Sequence, residues 1–291
     1  MLWHSQTQAD ERGFDVTRHW LPAELSGADA LGCLAPGEAL KLSHLEFGAY
    51  IHLLGCLEEV VVPTMLTLAR RLVGAEPDAA TMLSRAATTE GTHIARFRAN
   101  RNRVNAALGF PLALLPETRR VTDVALAKHP AAVLLLTSCL HAAAEHHGRI
   151  HVEDDASLDP LARRMLASYW VDAARPARRV RLETIRAFET LPLVGRDDAI
   201  DGFVELVMGI EALLSVQARY DVENLQRYLR RPLDRAEQAE VAEAVTNAKR
   251  RVLVDSGLAH STFRELFSLV ATRAQRQRVE DALDVAMLTF V

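Results

Sequence analysis

The chain has 291 residues, 34 of them basic and 38 acidic, for a net charge of −4, with 49% hydrophobic and 25% charged side chains. That length buries one large core or two modest ones, and the near balance of charge leaves no global field to recruit nucleic acid or an anionic membrane. Three cysteines, Cys33, Cys56 and Cys139, are odd in number and far apart, which argues against a disulfide framework and for a reducing compartment.

Residues 1–36 carry Trp3, Trp20, Pro22, Gly27, Gly32 and Pro36 without a period and read as an irregular N-terminal arm. The first twenty hold His4, Asp10, Glu11, Arg12 and Asp15 and no apolar run, so no secretory signal is expected. From Gly37 the pattern changes. Leu53, Leu54, Leu57, Val61, Met65 and Leu68 recur at helical intervals to about Leu72, with Glu58 and Glu59 inside the run and Pro63 kinking the helix without ending it.

Pro77 and Asp78 open a second helix that runs to about Leu108, with Met82, Ala86, Glu90, His93, Ile94 and Phe97 on one side. Gly109 to Pro116 is a connection, and Pro130 starts a third helix reaching about His151. That helix holds the longest apolar run, Ala131 to Leu136, far short of the ~20 residues that cross a bilayer, so a cytoplasmic protein with no membrane segment is expected. Asp159-Pro160 starts a fourth helix that ends near Thr190. Helices are expected over Asp198 to Leu229, from an Asp234/Glu237 capping box to Val254 with Gly257 as its stop, and over 261–270 and 271–290. No strand-like alternation is visible, and the expected fold class is all-α, with 37–230 as the main bundle and 231–291 as C-terminal helices packed on the same domain.

Glu90 and His93 are three apart and share one helical face, the step by which a bundle offers a carboxylate and an imidazole to one metal. The first and third helices add Glu58 or Glu59 and Glu145. Stripe spacing puts Glu58 with Leu54, Leu57, Val61 and Met65, but both glutamates stand as candidates. The run Tyr50-Ile51-His52-Leu53-Leu54-Gly55-Cys56-Leu57-Glu58-Glu59-Val60-Val61-Val62-Pro63 and the Glu90/His93 step resemble ferritin-like di-iron oxygenases of the arylamine N-oxygenase type. The resemblance spans about Trp20 to His260, including Gln217 and Asp221. It implies a ferritin-like four-helix bundle core with additional C-terminal helices, and a His-x-x-x-Glu-x-x-His segment on the fourth helix. Here the matching segment has Tyr169, Ala173 and Pro176 at the ligand positions.

A dinuclear centre needs anionic bridges to hold two divalent ions together, and Ala173 and Pro176 offer no donor. The residues therefore point to at most one ion, iron or manganese, held by Glu58 or Glu59, Glu90, His93 and Glu145, with His141 as a possible substitute nitrogen ligand beside Glu145. The remaining His146, His147 and His151 read as a solvated face, as do Arg175, Arg178, Arg179 and Arg181, neutralised by Asp172 and Glu183. Gly91 is expected to make room for a close helix or a small ligand, and Cys56 and Cys139 to be packed thiols. Two readings follow: dioxygen-dependent oxidation of a small organic substrate at that metal, or a non-catalytic scaffold that binds a small molecule or a partner protein. A homodimer is expected for bundles of this size.

Overall fold

The computed structural model describes residues 13–116, 119–147 and 155–283, with the side chains of 119–121 and 173–176 outside the description. Among the described residues the chain is all-α, and its single backbone bridge, His19 to Leu158, is isolated. The arm carries short helix α1 (Ala23–Ser26) and a 3-10 turn (Ala28–Ala30) before helix α2 (Pro36–Leu72) begins. Trp20 is fully buried in that arm, 4.3 Å from the His44 ring between centroids, with its Nε1 donating to Asp15 O at 3.0 Å. The arm thus seals the first turns of α2.

Helix α2 runs unbroken through Pro63, and α3 (Pro77–Leu108) returns along it. A second hairpin follows: α5 (Pro130–His147) packs on α6 (Pro160–Glu189), while α5 also touches α2 and α6 also touches α3. Val61, Met65 and Ala69 of α2, Leu83, Ala86 and Ala87 of α3, Leu134 of α5 and Val180 of α6 meet in one cluster. Between the hairpins lies α4 (Arg119–Leu126), too short to show in the sequence pattern. Asp159 caps α6 by accepting from Ala162 N at 2.7 Å, as its Asp-Pro start predicts.

Helix α7 (Leu193–Leu229) starts five residues earlier than its apolar stripe suggests and packs across α2 and α5. Helix α8 (Arg235–Arg250) has the expected Asp234/Glu237 capping box, then widens into a π turn at Arg251–Asp255 before α9 (Ser256–Ala259). Gly257 does not stop this helix. It lies inside α9, where a Cβ would stand 2.4 Å from Cys139 O, so it permits contact with α5. Helices α10 (Ser261–Val270) and α11 (Arg273–Leu283) pack on α6 and α7 respectively. His151 and residues 284–290 of the expected last helix lie outside the described residues.

By length and composition α2 is long and apolar enough to cross a membrane, although buried polar residues break up its apolar runs. In this fold it is a core helix: α3, α5 and α7 pack on it, and His44, Glu46, His52 and Glu58 are buried along it. Glu46 meets the fully buried Lys249 of α8, whose Nζ also donates to Asp221 Oδ2 of α7 at 2.7 Å. Gln217 bonds the other Asp221 oxygen at 2.8 Å and accepts from Leu115 N at 2.9 Å, tying the loop after α3 to the same network.

One ammonium between two buried carboxylates leaves the network acid-rich. Burial and the Asp221 charge push the Glu46 carboxyl up against the pull of Lys249. A carboxyl raised in the folded state stabilises the fold at low pH, and that contribution is lost as pH rises from the ordinary 4.5 through the raised value. Glu46→Gln should therefore flatten the fall in urea-unfolding stability over that window. Lys249→Met strands two buried acids and should cost about 3–5 kcal/mol in the same measurement at pH 7.

Candidate metal centre

Two glutamates on neighbouring positions of α2 part company, because successive helical side chains point about 100° apart. Glu58 turns inward and is buried, whereas Glu59 faces outward and pairs with Arg98 at 2.8 Å. Glu59 is thus withdrawn from the expected ligand set, as the apolar stripe on Glu58's side foretold. On α3, Glu90 is fully buried and His93 nearly so. Glu58, Glu90 and His93 each offer a ligand atom, all within 4.8 Å of one another, and this buried group can hold a metal ion.

The three side chains converge on one point, where a proton on the imidazole or a shared cation answers the two acids. His93 Nδ1 lies 2.8 Å from Glu90 Oε2 and 3.6 Å from Glu58 Oε1. Yet both Glu90 oxygens and both His93 nitrogens are buried without an aligned hydrogen bond. Around an ion with bonds of about 2.1 Å, neighbouring octahedral ligand atoms stand about 3.0 Å apart with their lone pairs aimed at the ion and not at each other. Two carboxylates and a neutral imidazole also cancel the charge of one divalent ion, and leave none for a second.

His141 reaches the group from α5, its Nε2 3.6 Å from Glu90 Oε1 and its Nδ1 buried without a hydrogen bond. It is 6% exposed and His147 3%, so this helix face is not the solvated one expected; His147 Nε2 instead bonds Ser256 Oγ at 2.9 Å. Glu145 does not join the cluster. It sits one turn beyond His141, half-buried, on a cavity of about 190 Å³ that Ser138, Arg178, Arg181 and Thr262 also line. His141 is the side chain shared by that cavity and the space beside Glu58.

From the fourth wall, Tyr169 of α6 sets its ring edge against His93, 5.3 Å between centroids at 70°. Burial and the neighbouring Glu58, Tyr50 and Glu90 push its phenol well above the ordinary value, so it stands there as a neutral phenol. The side chains of Ala173 and Pro176 lie outside the described residues. Asp172 is the residue the sequence reading assigned elsewhere. It bonds Arg96 at 2.9 Å and lies 3.8 Å from His93 Nε2, on the side of the ring away from the glutamates. At that distance the Asp172 carboxylate is a neighbouring charge and not a hydrogen-bond partner of the ring. Among the described residues Asp172 pairs with Arg96, Glu183 with Arg186, and Arg181 with Glu265. Gly91 makes no room for a neighbour, since nothing lies within 4 Å of the place its Cβ would take.

The charges balance internally. Burial raises the Glu58 carboxyl. Burial would raise Glu90 too, but the imidazoles of His141 and His93 overcome it and hold Glu90 below its ordinary value. Burial lowers His93, but Glu58 and Glu90 overcome it and raise the imidazole. No protein-family model matches the chain, and no curated protein or solved structure matches it either.

A depressed carboxylate stabilises the fold above its ordinary 4.5, and that contribution is lost as pH falls through the lowered value. Glu90→Gln should therefore destabilise the metal-free protein at pH 7 by about 3 kcal/mol, because it strands the imidazolium it opposed. Equal urea midpoints for the variant and the parent would contradict this charge balance.

Proposed function

We propose that the chain is a ferritin-like metal-carboxylate protein related to di-iron oxygenases, reduced to a single ion held by Glu58, Glu90 and His93, with His141 as an adjacent fourth donor. The observation that carries this reading is the 2.8 Å approach of His93 Nδ1 to Glu90 Oε2 without hydrogen-bond alignment, in a buried group of two acids and an imidazole. Two further features support it: the paired hairpins α2/α3 and α5/α6 around a common cluster, and the Glu-x-x-His step on α3. An oxygen-rich set with one or two imidazoles suits iron or manganese. Such an ion, when bound, supplies dioxygen activation for oxidising a small organic molecule.

The protein's own residues have defined tasks in that reading. Asp172, anchored by Arg96, places a carboxylate 3.8 Å from His93 Nε2. Tyr169 and Tyr50 border the space next to Glu58 and His141, and Leu54, Leu57 and Val61 keep it dry. A second reading, a non-catalytic scaffold that binds a small molecule or a partner protein, is favoured by the internal charge balance: an imidazolium at His93 neutralises the acids without any ion.

Elemental analysis separates the two. Protein made in cells supplied with iron and manganese should carry about one ion per chain. Glu58→Ala or His93→Ala should each abolish it, and Glu59→Ala should leave it intact. An ion content near zero in the parent protein would select the scaffold. Because uptake displaces a proton from His93, apparent affinity measured by competition with a chelator should rise with pH across the neutral range.

A further inference from the structure

A close-packed protein interior keeps few voids larger than a water molecule. Between α2, α4, α5 and α7 there is a cavity of about 290 Å³. An apolar cavity of about 150 Å³ stays dry and takes up benzene, so this space is about twice what one aromatic ring needs. Leu53, Val60, Leu136, Ile210 and Leu214 form walls with no polar side-chain atom, and a trapped water needs two to four polar partners. The two charged residues on the lining, Lys128 and Glu205, pair with each other. Exposed Val124 and Gly209 mark the mouth.

We propose that this cavity is a binding site for one small, uncharged, apolar molecule about the size of two fused aromatic rings. Its back wall decides where that molecule sits relative to the chemistry. Leu57, Val61, Leu140 and Leu253 line the cavity and also line the space that holds Glu58 and His141. One layer of aliphatic side chains separates the occupant from the acids. A carboxylate or ammonium on the occupant would lie in an apolar chamber without a counter-charge, which excludes charged ligands from its depth. The site itself does not depend on the metal, whereas identifying its occupant as the oxidised substrate rests on the reading above.

The test uses the full chain, stripped of metal by a chelator, and the uncharged two-ring fluorophore 1-naphthylamine at pH 7. Saturable, blue-shifted emission with one probe per chain is expected. Gly209→Phe fills the mouth where a Cβ meets nothing within 4 Å, and Leu213→Trp fills a wall. Each should weaken binding at least tenfold with the helical circular dichroism unchanged, while Leu269→Trp, on the exposed face of α10, should not. In the parent protein, saturating probe should slow alkylation of Cys56, on the cavity wall, and leave that of Cys33 unchanged. Absence of saturable emission, parent-like affinity in both filled variants, or unaltered Cys56 alkylation would overturn the proposal. Probe uptake by a protein that holds no ion keeps the cavity and removes the metal centre; an ion without probe uptake does the reverse.

Discussion

A carboxylate removed from water must find compensating charge, and Glu90 is fully buried at the meeting of three helices. What surrounds it follows from that need. His93 lies one turn on along α3, His141 comes from α5, and Glu58 from α2 competes for the same imidazole. Two acids and two imidazoles in a dry volume have two ways to reach neutrality: protons on the rings, or a cation between the acids. The same cluster could be neutralised by either. This duality is a property of the residue set.

The interior holds a second charged group that obeys the same rule with a different solution. Lys249 sits between Glu46 and Asp221, and no metal is needed because the cation is covalently part of α8. That network ties α2, α7 and α8 together and, through Gln217, fixes the loop at Leu115 that borders the apolar cavity. Breaking a buried pair of this kind costs far more than its net stabilisation, so its value lies in registering the C-terminal helices against the bundle.

Much of the fold is legible in the chain. The long helices announce themselves by apolar stripes and by Pro77, Pro130 and Pro160 at their first turns, and the stripe also indicates which of Glu58 and Glu59 turns inward. The failures have physical causes. Helix α4 has only eight residues, about two turns, so the apolar spacing of Val121, Val124 and Ala125 is too short to stand out as a period. Glu145 shares a face with His141, but one turn of rise along α5 carries it past the level of Glu90 into another cavity. Asp172 lies in a segment dense with arginine, which hides that it reaches Arg96 and His93 on another helix. Nothing in the sequence singles out Lys249, because a buried cation is visible only when the acids from two distant helices are placed beside it.

The central claim is that one ion sits between α2 and α3. Anomalous diffraction at the manganese edge, from crystals grown with manganese, tests it most directly. A single strong peak about 2.1–2.3 Å from carboxylate oxygens of Glu58 and Glu90 and from His93 Nδ1 is the predicted result. No peak at saturating manganese, or a peak at Glu59 or Glu145 with the Glu90–His93 contact unchanged, would contradict it.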